Sequence, residues 1–181
     1  MAAGKYSVSG SEAVIQLYAS DNGGLSWTMP IFAYWTGHNC LQPSLKVFEQ
    51  TDTTYIMVTF TTVQTTSPYE SDIWLLRWPL GGSATIPLIS GTAGIVEERP
   101  QLDADDVQYS SAGYLYCDFE SADSIIFMRS LDDGVSWTSR QVLGSGSATW
   151  DYSRPSLAYG WATSADSCYI GATWVYTDAS Q

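Results

Sequence analysis

Ser20-Asp21-Asn22-Gly23-Gly24-Leu25-Ser26-Trp27-Thr28 and Ser130-Leu131-Asp132-Asp133-Gly134-Val135-Ser136-Trp137-Thr138 are two copies of one phrase. Both fit Ser-x-(Asp/Asn)-x-Gly-x-Ser-Trp, and self-similarity in a strand-rich chain marks a propeller or a solenoid. A second element recurs with the turns: Gln42-Pro43-Ser44-Leu45, Arg99-Pro100-Gln101-Leu102 and Arg154-Pro155-Ser156-Leu157, at a period of about 55 residues. After each proline a tyrosine opens an alternating run, Tyr55 to Phe60, Tyr114 to Phe119 and Tyr169 to Trp174, and alternation of this kind reads as a strand. A further strand leads into the turn, Asp72 to Arg77 in one repeat and Ile125 to Arg129 in another, which aligns Arg77 with Arg129.

Each period therefore holds four short strands, A to D, with the Ser-x-Asp-x-Gly turn joining C to D. Four antiparallel strands per repeat make one propeller blade. Between Trp78 and Thr85 the turn keeps its glycines and loses the Asp and Trp. Residues 13–34 read as C and D strands, 43–90 as a full blade, 99–144 as a second, and 154–177 as A and B strands. Three blades' worth of strands cannot close a ring, because blade twist demands about four around an axis. The two half blades are complementary, so the fold class expected is all-β, a β-propeller in which a homodimer shares blades to complete a six-bladed ring. That arrangement leaves no half sheet with unpaired edges. A fragment of a longer propeller, or a closed ring of more copies, is the competing expectation.

Composition agrees with an all-β chain. Eight Trp and twelve Tyr stand among only 14% charged residues. A formal charge of −12 repels phosphate backbones and anionic membrane surfaces, so neither nucleic acid nor membrane is an expected partner. No apolar run approaches the roughly 20 residues of a membrane span, and Met1 to Lys5 carries no signal-peptide core. Cys40, Cys117 and Cys168 match neither a zinc pattern nor a disulfide framework and read as buried or unpaired thiols, leaving the compartment open on that count. An extracellular or cell-surface setting is the expectation. No metal and no cofactor is called for.

The sequence Ser130-x-Asp132-x-Gly134-x-Ser136-Trp137 resembles the Asp box, the repeat of bacterial neuraminidases, sialidases and related propellers. Residues 20 to 27 show the same box with Asn22 replacing Asp. The resemblance covers about residues 13 to 177. It implies a box lying on the C to D hairpin, away from any substrate pocket. The residues themselves support a structural role for Ser20, Asn22, Gly24, Trp27, Ser130, Asp132, Gly134 and Trp137. An Asp or Asn oxygen bonds turn amides, the glycine takes positive φ, and the indole packs between neighbouring blades. Asp103, Asp105 and Asp106 lack a full calcium ligand pattern and read as a solvated acidic loop between the A and B strands.

With the boxes on one face, the D to A and B to C connections occupy the other. The richest of these is Trp150-Asp151-Tyr152-Ser153-Arg154, matched by Glu97-Glu98-Arg99 one repeat earlier and by His38-Asn39 with Gln42 before that. Stacking rings beside hydrogen-bonding groups suit a sugar, and Glu98, Arg99, Trp150, Asp151, Tyr152 and Arg154 are the candidate ligand residues. The alternative is that the rings cover blade edges and Arg154 pairs with an acid. Resemblance to sialidases implies three arginines, a Tyr/Glu nucleophile pair and an acid/base Asp. This chain has no Arg-Ile-Pro motif, and Arg77, Arg129 and Arg140 fall near the box face. The expectation is accordingly a non-catalytic module binding a glycan or another small polar ligand, with no catalytic residue assigned. A sialidase-type glycoside hydrolase and a purely structural or interaction scaffold stand as alternatives.

Overall fold

The computed structural model describes residues 2–9, 12–50, 53–66, 70–105, 114–146, 150–161 and 168–178. Among them every regular element is a strand. Four antiparallel sheets follow one another along the chain, and none closes on itself. The first comprises β1 (Ala2–Ser9), β2 (Glu12–Ala19) and β3 (Thr28–Ala33); the second β4 (His38–Gln50), β5 (Thr53–Gln64), β6 (Ser71–Pro79) and β7 (Leu88–Ser90). The third comprises β8 (Glu97–Ala104), β9 (Leu115–Ser121), β10 (Ser124–Ser130) and β11 (Gln141–Ser145); the fourth is the hairpin of β12 (Trp150–Trp161) and β13 (Cys168–Asp178).

Reading residues 13–34 as two strands leaves out β1. That strand pairs with β2 from Ala2↔Ala19 to Ser9↔Glu12 and covers the edge of β2. Only Tyr6 and Val8 in it are large and apolar, which is too few to register as alternation.

The sheets pack in chain order, each burying its face against the next. Ile15, Leu17 and Ala33 of the first sheet meet Cys40, Ile56, Val58, Phe60 and Leu76 of the second. The opposite face of the second sheet sets Met57, Ile73, Leu75 and Ile89 against Leu102, Leu115, Cys117, Phe119, Ile126 and Met128 of the third. Every residue of β9 is buried, so this strand is covered on both sides. Its second face meets the fourth sheet through Tyr116, stacked on Tyr159 of β12 at 5.6 Å and on Phe127 at 6.4 Å. Each apolar face thus has an apolar partner, and burial at roughly 25 cal/mol per Å² is the main force holding the stack.

The two Ser-x-(Asp/Asn)-x-Gly turns join β2 to β3 and β10 to β11, and they carry the same bonds. In the second, the Gly134 N–H donates to Ser130 Oγ at 2.8 Å, the Ser136 N–H to Asp132 Oδ1 at 2.8 Å, and the Ser130 hydroxyl to Asp132 Oδ1 at 2.8 Å. In the first, the Gly24 N–H reaches Ser20 Oγ at 2.8 Å and the Ser26 N–H reaches Asn22 Oδ1 at 3.0 Å. Gly24 and Gly134 sit at φ +92° and +81°, where a Cβ is disfavoured. The surroundings differ. Trp137 packs on the core between the second and third sheets, whereas Trp27 is exposed.

Candidate functional site

The inner strand of each later sheet carries a bulge at one position of the repeat. Gln42, Arg99 and Arg154 take φ values of 54°, 52° and 54°, and the ladder registers shift across them in all three strands. Non-glycine residues rarely enter the left-handed region, and a residue before proline is normally extended. Three equivalent occurrences identify the bulge as a built part of the repeat, which turns the backbone N–H of the bulge residue toward the preceding sheet.

The N–H groups of Arg99 and Arg154 are met by side chains of the preceding sheet. Gln42 Oε1 accepts from the Arg99 N–H at 2.9 Å and from the Thr61 hydroxyl at 3.0 Å. One repeat on, a carboxylate takes over: Glu120 Oε1 accepts from the Arg154 N–H, and Glu120 Oε2 accepts from the Arg99 guanidinium at 2.5 Å. Glu98 stands 3.9 Å from the same guanidinium. The Arg99 side chain is 43% exposed. Arg154 is exposed, and its guanidinium forms no ion pair among the described residues. Glu98, Arg99, Glu120 and Arg154 therefore gather at the bulge end of two adjacent sheets.

Several expected positions resolve differently. His38, Glu98, Arg99 and Arg154 lie in the opening stretches of β4, β8 and β12, because the inner strands run past the bulge, so they are not in loops. Tyr152, two residues before the bulge at Arg154, packs with Trp174 at 6.4 Å and Tyr176 at 5.9 Å, over Gly144 of β11. Tyr152 is half-buried there, on the face of β12 that meets the third sheet. Trp150 and Asp151 pair through the backbone with Asp178 and Thr177, and their side chains lie outside the described residues.

Arg140 corrects the reading that places it near the box face. Its guanidinium reaches Glu97 and also donates to Thr92 at 2.7 Å and Ser121 at 2.5 Å. Glu97 is fully buried, its Oε2 has no hydrogen-bond partner, and burial raises its pKa against the opposing pull of Arg140. Asp103 and Asp105 are likewise not a solvated loop. Asp103 lies in β8, bonds Lys46 at 2.9 Å and accepts from the Tyr159 N–H at 2.6 Å, while Asp105 accepts from the Tyr159 hydroxyl at 2.8 Å. They tie the third sheet to the fourth; Asp106 lies outside the described residues. Among the described residues no group of three metal-ligating side chains occurs.

Two buried groups were missed by sequence reasoning. Glu120 aligns with Thr61 and Val175 across the repeat, and Asp118 aligns with Thr59 and Thr173. Asp118 has both carboxylate oxygens buried without a partner, and desolvation pushes its pKa up to about 7. The departure of an acid from a threonine position was the available signal. Cys40 and Cys117 are buried and free, with burial raising the Cys40 thiol to about 11, which removes thiolate chemistry at neutral pH.

Chemically, the bulge end presents guanidinium donors beside carboxylate acceptors, a set that holds hydroxyl-bearing or anionic ligands. Its best-placed acid, Glu120, is occupied by two donors and is not poised for proton transfer. Set against known proteins, the chain matches no family model and no curated protein sequence.

Proposed function

We propose that this chain is a non-catalytic binding module of Asp-box propeller type, acting outside the cell or at its surface, and that the bulge end of its inner strands binds a glycan or another small polar ligand. The observation that carries the reading is the repeated left-handed bulge, which brings Arg99 and Arg154 to one end of adjacent sheets. The exposed Arg154 fork offers paired donors to vicinal hydroxyls or a carboxylate, and Glu98 supplies an acceptor beside it. The occupation of Glu120 by the Arg99 guanidinium and the Arg154 N–H supports binding over hydrolysis.

The test is glycan-array binding by the full chain alongside a fluorogenic sialoside assay. Binding that falls at least tenfold in Arg154→Ala, with no hydrolysis, supports the reading. Hydrolysis abolished by Arg154→Ala makes the protein a glycoside hydrolase instead. Silence in both assays leaves the scaffold reading in its place.

A further inference from the structure

The second and third sheets dock through the turn that follows β10. Arg77, at the end of β6, donates from Nε to the Asp133 carbonyl oxygen at 2.9 Å, with its guanidinium held 4.8 Å from the Tyr55 ring centre. Gly134 lies against Leu75, so closely that a Cβ there would collide with the leucine. A receiving arginine and an apolar floor thus seat the turn of the next sheet.

The same receiving surface recurs on the third sheet, and among the described residues nothing is seated in it. By register Arg129 matches Arg77 and Phe127 matches Leu75. Leu75 is fully buried, whereas Phe127 is half-exposed and Arg129 exposed, with no guanidinium partner among the described residues. Together with Thr138, Ser139 and Gln141 they line an open groove of about 570 Å³. Among the described residues the fourth sheet has only β12 and β13, with no C to D turn to set in this groove.

The complementary feature is the first turn. A Cβ on Gly24 would meet only its own Trp27 among the described residues, Leu25 is 89% exposed and Trp27 41%. Its backbone bonds are those of the seated turn, and Gly23 at φ 71° stands where Asp133 stands at φ 57°. One chain therefore carries an unfilled seat and an unseated turn of the repeat's own chemistry.

We infer that the Arg129 groove is a docking site for the Ser20–Trp27 turn of a second copy of this chain, with the Arg129 guanidinium donating to the Gly23 carbonyl of that copy. In the same step β2 and β3 of the second copy take the open edge of β13, in the place that β10 and β11 hold beside β9. Because β1 covers the same edge of β2, one antiparallel ladder is exchanged for another. The backbone bonds balance, and the net gain is the filled groove. The inference stands on the repeat and is independent of any ligand at the bulge end.

The experiment is sedimentation velocity of the full chain across micromolar concentrations, with folding of each variant checked by circular dichroism. A species of twice the 19.8 kDa chain mass is expected. Arg129→Ala weakens association about tenfold or more, as loss of a hydrogen bond to a charged donor implies. Lys5→Pro, which disrupts the β1–β2 ladder at Lys5↔Gln16, strengthens it. A chain that stays monomeric throughout, or a dimer indifferent to Arg129→Ala, overturns the inference.

Discussion

Replacing Asp118 by threonine puts the repeat's own residue back at a position where it has an acid. The carboxyl lies wholly inside the contact between the third and fourth sheets, without a partner for either oxygen. Its pKa, raised from 3.8 to about 7 by desolvation, means that the folded state binds a proton the unfolded state has released. Below pH 4 both states hold the proton and nothing is lost. Between pH 4 and 7 stability falls as pH rises, and above 7 both states are ionised and the loss is complete. At about 1.4 kcal/mol per pH unit that loss is about 4 kcal/mol. Threonine has one heavy atom fewer, which offsets about 1 kcal/mol through lost contacts. Urea melts of both proteins from pH 4 to 8 should show near-equal stability at pH 4 and a gap opening to about 3 kcal/mol in favour of Asp118→Thr at pH 8. Taking the difference between the two chains removes the pH dependence they share. A gap that stays flat with pH, or a variant less stable at pH 8, refutes the argument.

Gly134→Ala should cost about 2–4 kcal/mol in a denaturant melt, combining a positive φ with a collision against Leu75. Gly24→Ala at the unseated turn should cost only about 1 kcal/mol, the backbone penalty alone. Arg140→Ala should destabilise by about 3–5 kcal/mol at pH 7, because Glu97 is left buried and uncompensated. Melts at pH 4 should show a smaller loss, since protonation removes the stranded charge. Asp132→Asn should fold normally, as Asn22 does in the first turn, while Asp132→Ala loses the acceptor for Ser130 and Ser136 and about 1–2 kcal/mol. The hydrogen bonds from Ser136 hold the Asp132 pKa below the usual carboxylate range, so the advantage of wild type over Asp132→Asn should fade as pH falls through that range.

The turns and strands were legible because their chemistry is local. Ser20, Asn22 and Gly24 dictate their own hydrogen bonds, and Tyr55 to Phe60 alternates within one strand. The bulges were not legible. Pre-proline residues favour extended backbone, and only the tertiary acceptors Gln42 and Glu120 overrule that preference at Arg99 and Arg154. Nor did alternation place Asp118, since a strand covered on both faces has no solvent side on which to put an acid. Arg140 was misplaced because its position in sequence marks its Cα, while a long side chain carries the charge back to Glu97. Tyr152 showed only its type, and its partners Trp174 and Tyr176 come from the other strand of its hairpin.

From the second sheet onward, the backbone N–H bonds between successive sheets have a direction. Arg99 and Leu102 donate backbone N–H groups to Gln42 and Ser44, and Arg154 and Tyr159 donate to Glu120 and Asp103. In each pair the acceptor precedes its donor in the chain, so on a ribosome the receiving side chains emerge first. From the second sheet onward the stack can grow by accretion, every new sheet finding its seat already present. Among the described residues the fourth sheet packs on the third alone, whereas β9 is covered on both faces, so amide exchange should be faster in β12 and β13 than in β9.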